Sequence, residues 1–146
     1  MPGCNIFSRE HQMLLIHFFG TVSASDLERQ AISVFSNPDF SESTKELLSF
    51  AEVEAFAEDV DIKRFAEIVK INKGHVERFP DIKIAIIATD PSTISLARIY
   101  KEHVDTHDRK GEMEIFTSRH EAVTWLGGKA DQWDLLLDRV SKMCEL

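Results

Sequence analysis

The chain has 146 residues, 43% of them hydrophobic, with 25 acidic against 17 basic side chains and a formal net charge of −8. That length suits one domain, 1–146, with a core of its own. The acidic balance argues against nucleic acid or anionic membrane surfaces as partners, because both need a basic footprint. Cys4 and Cys144 stand at opposite ends with no CxxC spacing, which indicates reduced thiols in a cytoplasmic protein; a terminal clasp between them is the alternative.

In chain order, Asn5–Ser8 reads as a short strand turning through Arg9-Glu10-His11 into a stronger one, Met13–Phe19, as a hairpin. That apolar run is too short and too broken by His17 to span a membrane or act as a signal segment. Ser25-Asp26-Leu27-Glu28 has the spacing of a capping box. It opens a helix to about Phe35 with Leu27, Ala31, Val34 and Phe35 on its buried stripe. Asn37-Pro38 stops that helix. Glu46–Phe50 is a third strand, followed by an acidic loop of Glu52, Glu54, Glu58, Asp59 and Asp61. Asp61 then caps a second helix whose Ile62, Phe65, Ala66 and Val69 recur at helical spacing, ending near Gly74.

Ile82–Ala88 is β-branched and nearly continuous, the pattern of a strand covered on both faces. Asp90-Pro91 caps and starts the third helix, with proline where its missing N–H costs nothing. Ala97, Tyr100 and Val104 carry that helix on. Glu114–Phe116 is the last strand, and Ser118-Arg119-His120-Glu121 a second capping box before the Gly127-Gly128 stop. An appended C-terminal helix, 129–146, sets Trp133, Leu136, Leu137, Val140 and Met143 on one side. The order β-β-α-β-α-β-α-β-α predicts an α/β fold: a mixed, mostly parallel sheet of about five strands flanked by helices, with the amino-terminal strand antiparallel near an edge.

Catalytic signatures are missing. No nucleophile elbow is present, no glycine-rich loop cradles a phosphate, and neither cysteine has a local base. The spacing of His103 and His107 permits a chelate from one helix face, but no glutamate is placed as in HExxH, so no metal is assigned. Ligands of open parallel sheets sit outside the carboxyl ends of the strands. There the sequence collects hydroxyls and carboxylates, and the candidate ligand residues are Asp90, Ser92, Thr93 and Arg98. The expectation is a non-enzyme with no cofactor.

The segments IAIIAT, LARIYKEH and EIFTSRHEAVTWLG together resemble the SpoIIAA-like family, in the STAS and Sec14-like class related to anti-sigma-factor antagonists. The Ala-Arg-x-Tyr helix (Ala97, Arg98, Tyr100) and the closing pattern of Phe116, Trp125 and Leu126 carry the resemblance, which spans roughly Met13 to Gly127. It implies a STAS-like sheet flanked by helices, usually non-enzymatic, serving as a protein-interaction or small-ligand module. In antagonists of the class a serine after the third strand, at the start of the second helix, is the phosphorylation switch. Here no serine or threonine lies between Phe50 and Lys63, so the partner-switching role is not carried over.

Two functional expectations follow. The first is a regulatory or protein-interaction domain that self-associates, with Trp133, Leu136, Leu137 and Val140 as interface residues unless that helix simply closes the sheet. The second, by Sec14-like analogy, is a binding module for a small apolar or amphipathic ligand near Phe35, Phe50, Phe56 and Phe65.

Overall fold

The computed structural model describes residues 2–37, 45–79, 81–104, 111–128, 134, 137–139 and 142. Five strands, β1 (Gly3–Ser8), β2 (Met13–Val22), β3 (Lys45–Phe56), β4 (Lys83–Ile87) and β5 (Met113–Phe116), lie side by side in sequence order. β1 is antiparallel to β2 and every other neighbouring pair is parallel. Between them run α1 (Ala24–Ser36), α2 (Ile62–Arg78) and α3 (Pro91–Val104), and α4 (Arg119–Trp125) follows β5.

A strand order that never reverses, joined by right-handed crossovers, sends α1, α2 and α3 to the same side of the sheet. They bury a first face made of Leu14, Ile16, Phe18, Leu48, Phe50, Ile84, Ile86 and Met113. The second face is Met13, Leu15, Leu47, Ala85 and Ile87, covered by Ala122, Val123 and Leu126 of the α4 region and by Leu137. β4 is apolar on both sides because it is sandwiched: Ile84 and Ile86 point one way, Ala85 and Ile87 the other.

Several local expectations change. The N-cap of α1 is Ser23, not Ser25. The Ser23 Oγ accepts from Asp26 N at 3.2 Å, and an Asp26 carboxylate oxygen accepts from Ser23 N at 2.9 Å. Aspartate at the third helical position closes the box as glutamate would. Gly74 lies inside α2 rather than ending it. A side chain there would sit 3.3 Å from the Phe35 ring, so glycine at this point permits the approach of α1 to α2. Phe35 is correspondingly 40% exposed instead of core, with Arg78 over its ring at 5.2 Å. Cys4, expected as a reduced thiol, is disulfide-bonded, and Cys144 lies outside the described residues.

Candidate functional site

The carboxyl ends of β2 to β5 carry the polar loops, and β3 dominates that edge. It does not stop at Phe50: the expected acidic loop is strand as far as Phe56. Two register shifts against β2 explain why the pattern concealed this. Between His17↔Ser49 and Phe19↔Glu52, and again between Gly20↔Val53 and Thr21↔Ala55, β3 contains one residue more than its partner. Each extra residue inverts the alternation of side chains. The first inversion turns Glu52 onto the second face, where its carboxylate meets His17 Nε2 at 2.9 Å. The same inversion places Val53, the next residue, in the first-face core.

Most acids of this segment are structurally engaged. Glu52 pairs with His17, Asp59 accepts from Ala24 N at 3.1 Å at the start of α1, and Asp61 accepts from Arg64 N at 2.7 Å as the cap of α2. Arg64 in turn bridges to Glu28 of α1 and to Glu67 of its own helix, the latter at 3.2 Å. The Glu28 hydrogen bond, followed by that to Glu67, holds its guanidinium above the usual arginine range. Carboxylates spent on helix ends and ion pairs are poor general acids or bases. Glu54 and Glu58 remain directed to solvent. Beside them Ile62, expected on the buried stripe of α2, is 82% exposed. The face of α2 that meets the sheet is set by Phe65, Ile68, Val69 and Val76 instead.

At the neighbouring turn the four candidate ligand residues separate. Asp90 accepts from Thr93 N at 3.0 Å, and Thr93 Oγ1 is held by Asp90 O at 3.1 Å and Asp90 N at 3.3 Å. Thr93 is wholly buried in that reciprocal cap. Ser92 and Arg98 are exposed, but six positions apart they point about 120° away from each other around the helix. A sheet whose strand order never reverses also lacks the crevice in which open α/β sheets hold nucleotides.

Of the expected interface residues, Leu137 is buried, 7% exposed, in the second-face cluster of its own chain. Trp133, Leu136 and Val140 lie outside the described residues. Arg119 ties the same helical segment to α4 through Asp134 at 3.1 Å and Asp138 at 3.5 Å. His103 Nδ1 pairs with Ile99 O at 2.8 Å, and His107 lies outside the described residues. Among the described residues no cluster of three or more His, Cys, Asp or Glu is placed to hold a metal. No described helix is long and apolar enough to cross a membrane.

Behind the first face lies one feature that the phenylalanine pattern announced. A cavity of about 40 Å³ separates the sheet from α1, α2 and α3, lined chiefly by Phe18, Phe50, Phe65, Leu27 and Tyr100, with Gln30 and Asn72 as its polar groups. Phe18 and Phe50, on neighbouring strands, stack at 5.4 Å in its lining. The Gln30 carbonyl oxygen accepts from Asn5 Nδ2 at 2.6 Å, which leaves its amide N–H₂ as a donor beside the cavity. Phe56 packs at the margin of the same core. Nothing in the sequence pattern marked Gln30, because a buried polar residue on an apolar helix stripe reads as a break in periodicity.

No family model matches the sequence, and no curated protein matches it. Among solved structures, the chain is similar to an uncharacterised protein of the DUF3478 family with a SpoIIAA-like fold from Shewanella loihica PV-4, with a TM-score of 0.55. The two are 17% identical over 85% of this chain and 93% of that one. It is also similar to the anti-sigma factor antagonist SpoIIAA in its unphosphorylated form, with a TM-score of 0.54 and 10% identity over 87% of this chain and 99% of that one. The fold is SpoIIAA-like. The expected α/β class, strand number and antiparallel first strand are those of this SpoIIAA-like fold.

Proposed function

We propose that this chain is a non-catalytic regulatory or protein-interaction domain, and that its contact surface centres on the junction of β3 and α2. The observation that carries the reading is Ile62. A large β-branched side chain 82% exposed at the first position of a helix gains nothing from folding. It is flanked in sequence by Glu58, Asp59, Asp61 and Lys63, so an apolar point stands in a charged rim, the anatomy of a contact residue. In antagonists of the SpoIIAA-like class this is also the region of the switch serine. Here Asp61 supplies a charge at the helix cap that no phosphatase removes, so the surface is constitutive rather than switched. Capture from native lysate with the wild-type chain and with Ile62→Asp tests this. A defined partner retained by the wild type and lost by the variant supports the reading. An identical set of retained proteins for both contradicts it.

A second reading, a binding module for a small apolar or amphipathic ligand, is favoured by the cavity and its Gln30 donor. Volume decides the ranking. Ligand pockets measure about 300–1,000 Å³, whereas about 40 Å³ admits only a few waters. Native mass spectrometry of gently purified protein checks it: a co-purifying mass of one small molecule supports this reading, and a clean apo mass removes it.

A further inference from the structure

Cys4 is disulfide-bonded, and the register of β1 on β2 sets what surrounds its sulfur. The two strands place Cys4 directly opposite His17. Phe19 N donates to Pro2 O at 2.8 Å, so the hydrogen-bonded pairs of this ladder include Cys4 with His17, two residues further on. Their Cα atoms then stand about 5.5 Å apart, with both side chains on one face. That face is the second, where Cys4 packs against the cluster that contains Met13, Leu15 and Leu137. His17 is buried, and its Nε2 meets the Glu52 carboxylate at 2.9 Å. With an acceptor at Nε2, the neutral ring carries its hydrogen there and keeps Nδ1 as the basic nitrogen. A base balanced by a carboxylate therefore lies across from a sulfur that thiol chemistry can release.

The sequence has one other cysteine, Cys144, seven residues beyond Leu137. Seven residues reach roughly 24 Å at full extension, and Leu137 already belongs to the cluster that Cys4 joins. Among the described residues, the other ties on that segment are the ion pairs of Arg119 with Asp134 and Asp138. Both are solvent-accessible, and such pairs hold little. We propose that the Cys4 disulfide closes on Cys144 and is a reversible latch, opened by a dithiol, that fastens the C-terminal segment to the second face. A thiolate of the dithiol attacks the Cys144 Sγ, the S–S bond breaks, and Cys4 leaves as a thiolate across from His17. A proton on that imidazole, balanced by Glu52, stabilises the departing sulfur. The second thiolate of the dithiol then displaces Cys144. Two electrons and two protons pass from the dithiol to the two cysteines, and the dithiol becomes a disulfide. His17 is a positioning residue in this exchange, and the latch is independent of the contact surface around Ile62.

Tryptic mapping without reduction, after alkylation of free thiols, tests the pairing on the full chain. The expected result is one species joining peptide 1–9 to peptide 143–146; two alkylated cysteines overturn the latch. Titration of the native protein with dithiothreitol, followed by far-UV circular dichroism, then tests reversibility. The folded chain is expected to release two thiols, to gain roughly tenfold in cleavage after the exposed Arg139 and Lys142, and to recover on reoxidation. Thiols released only in denaturant mark a static staple and overturn the proposal, as does cleavage that reduction leaves unchanged. His17→Asn is expected to move the equilibrium with dithiothreitol about tenfold towards the disulfide, about 30 mV in potential. Glu52→Gln, which leaves the imidazole in place, is expected to move it the same way by less. Should His17→Asn fail to fold, Glu52→Gln carries the same test. An equilibrium unmoved by either substitution overturns the role of His17.

Discussion

The two faces of the sheet are built to different standards. The first lies under three helices of 13, 17 and 14 residues, each with an apolar stripe. Among the described residues the second is closed by α4, of 7 residues, and by Leu137. Where the first face has stacked phenylalanines, the second has the polar pair His17–Glu52, and Lys83 whose ammonium donates to Trp125 O at 2.5 Å. One face is a core that has to be filled. The other is a core whose cover, among the described residues, is short and pinned by a few polar contacts, and the difference teaches where the molecule tolerates change.

Adjacent residues of β4 break or sharpen that contrast most directly. Ile86 and Ile87 are equally buried but point to opposite faces. Ile86→Ala is expected to cost about 4 kcal/mol, because three packed helices cannot collapse onto the void. Ile87→Ala is expected to cost about 2 kcal/mol, because the shorter cover relaxes further. Urea unfolding of the two variants checks the difference; equal costs would mean that both faces are equally rigid.

Acid is expected to act on the first face. His75 is 3% exposed, its Nε2 has no hydrogen-bond partner among the described residues, and burial, then Arg78, pushes its pKa down to about 4. An unfolded imidazole titrates near 6.5, so between those values the unfolded chain binds more protons and stability rises with pH. The contribution is complete above pH 6.5 and is lost as pH falls towards 4, on the order of 3 kcal/mol in all. Denaturation curves from pH 7 to 4 should show this slope, and His75→Leu should flatten it.

On the second face Lys83→Met removes a cation from the carboxyl end of α4 and from above the Trp125 ring, 4.1 Å away. A loss of about 1 kcal/mol is expected in thermal unfolding. The smallest effect belongs to Ile62→Ser, within about 0.5 kcal/mol of wild type, since the side chain is already in water.

Much of this was legible in the residues. The β-branched run at Ile82–Ala88, the Asp90-Pro91 start, the Asp61 and Ser118 caps and the order of elements all act locally, and local chemistry is what a sequence displays. Three features were not legible, and each depends on a neighbour distant in the chain. The extra residues of β3 are defined only against β2, so a strand with inverted alternation read as an acidic loop. Gly74 read as a helix stop because the ring it accommodates, Phe35, is far away in sequence. Ile62 fits the helical spacing of α2, and only the docking angle of that helix on the sheet puts it outside. The candidate ligand turn failed for a related reason: Asp90 and Thr93 satisfy each other, which spacing alone shows as two available polar groups.

The central claim, a protein-interaction domain working through the β3–α2 junction, is most directly tested by amine cross-linking and mass spectrometry in native lysate. Lys63, exposed beside Ile62, is the reporter. The account predicts that cross-links to a recurring partner concentrate at Lys63 and vanish in Ile62→Asp. Cross-links spread evenly over the surface lysines, unchanged in the variant, would contradict it.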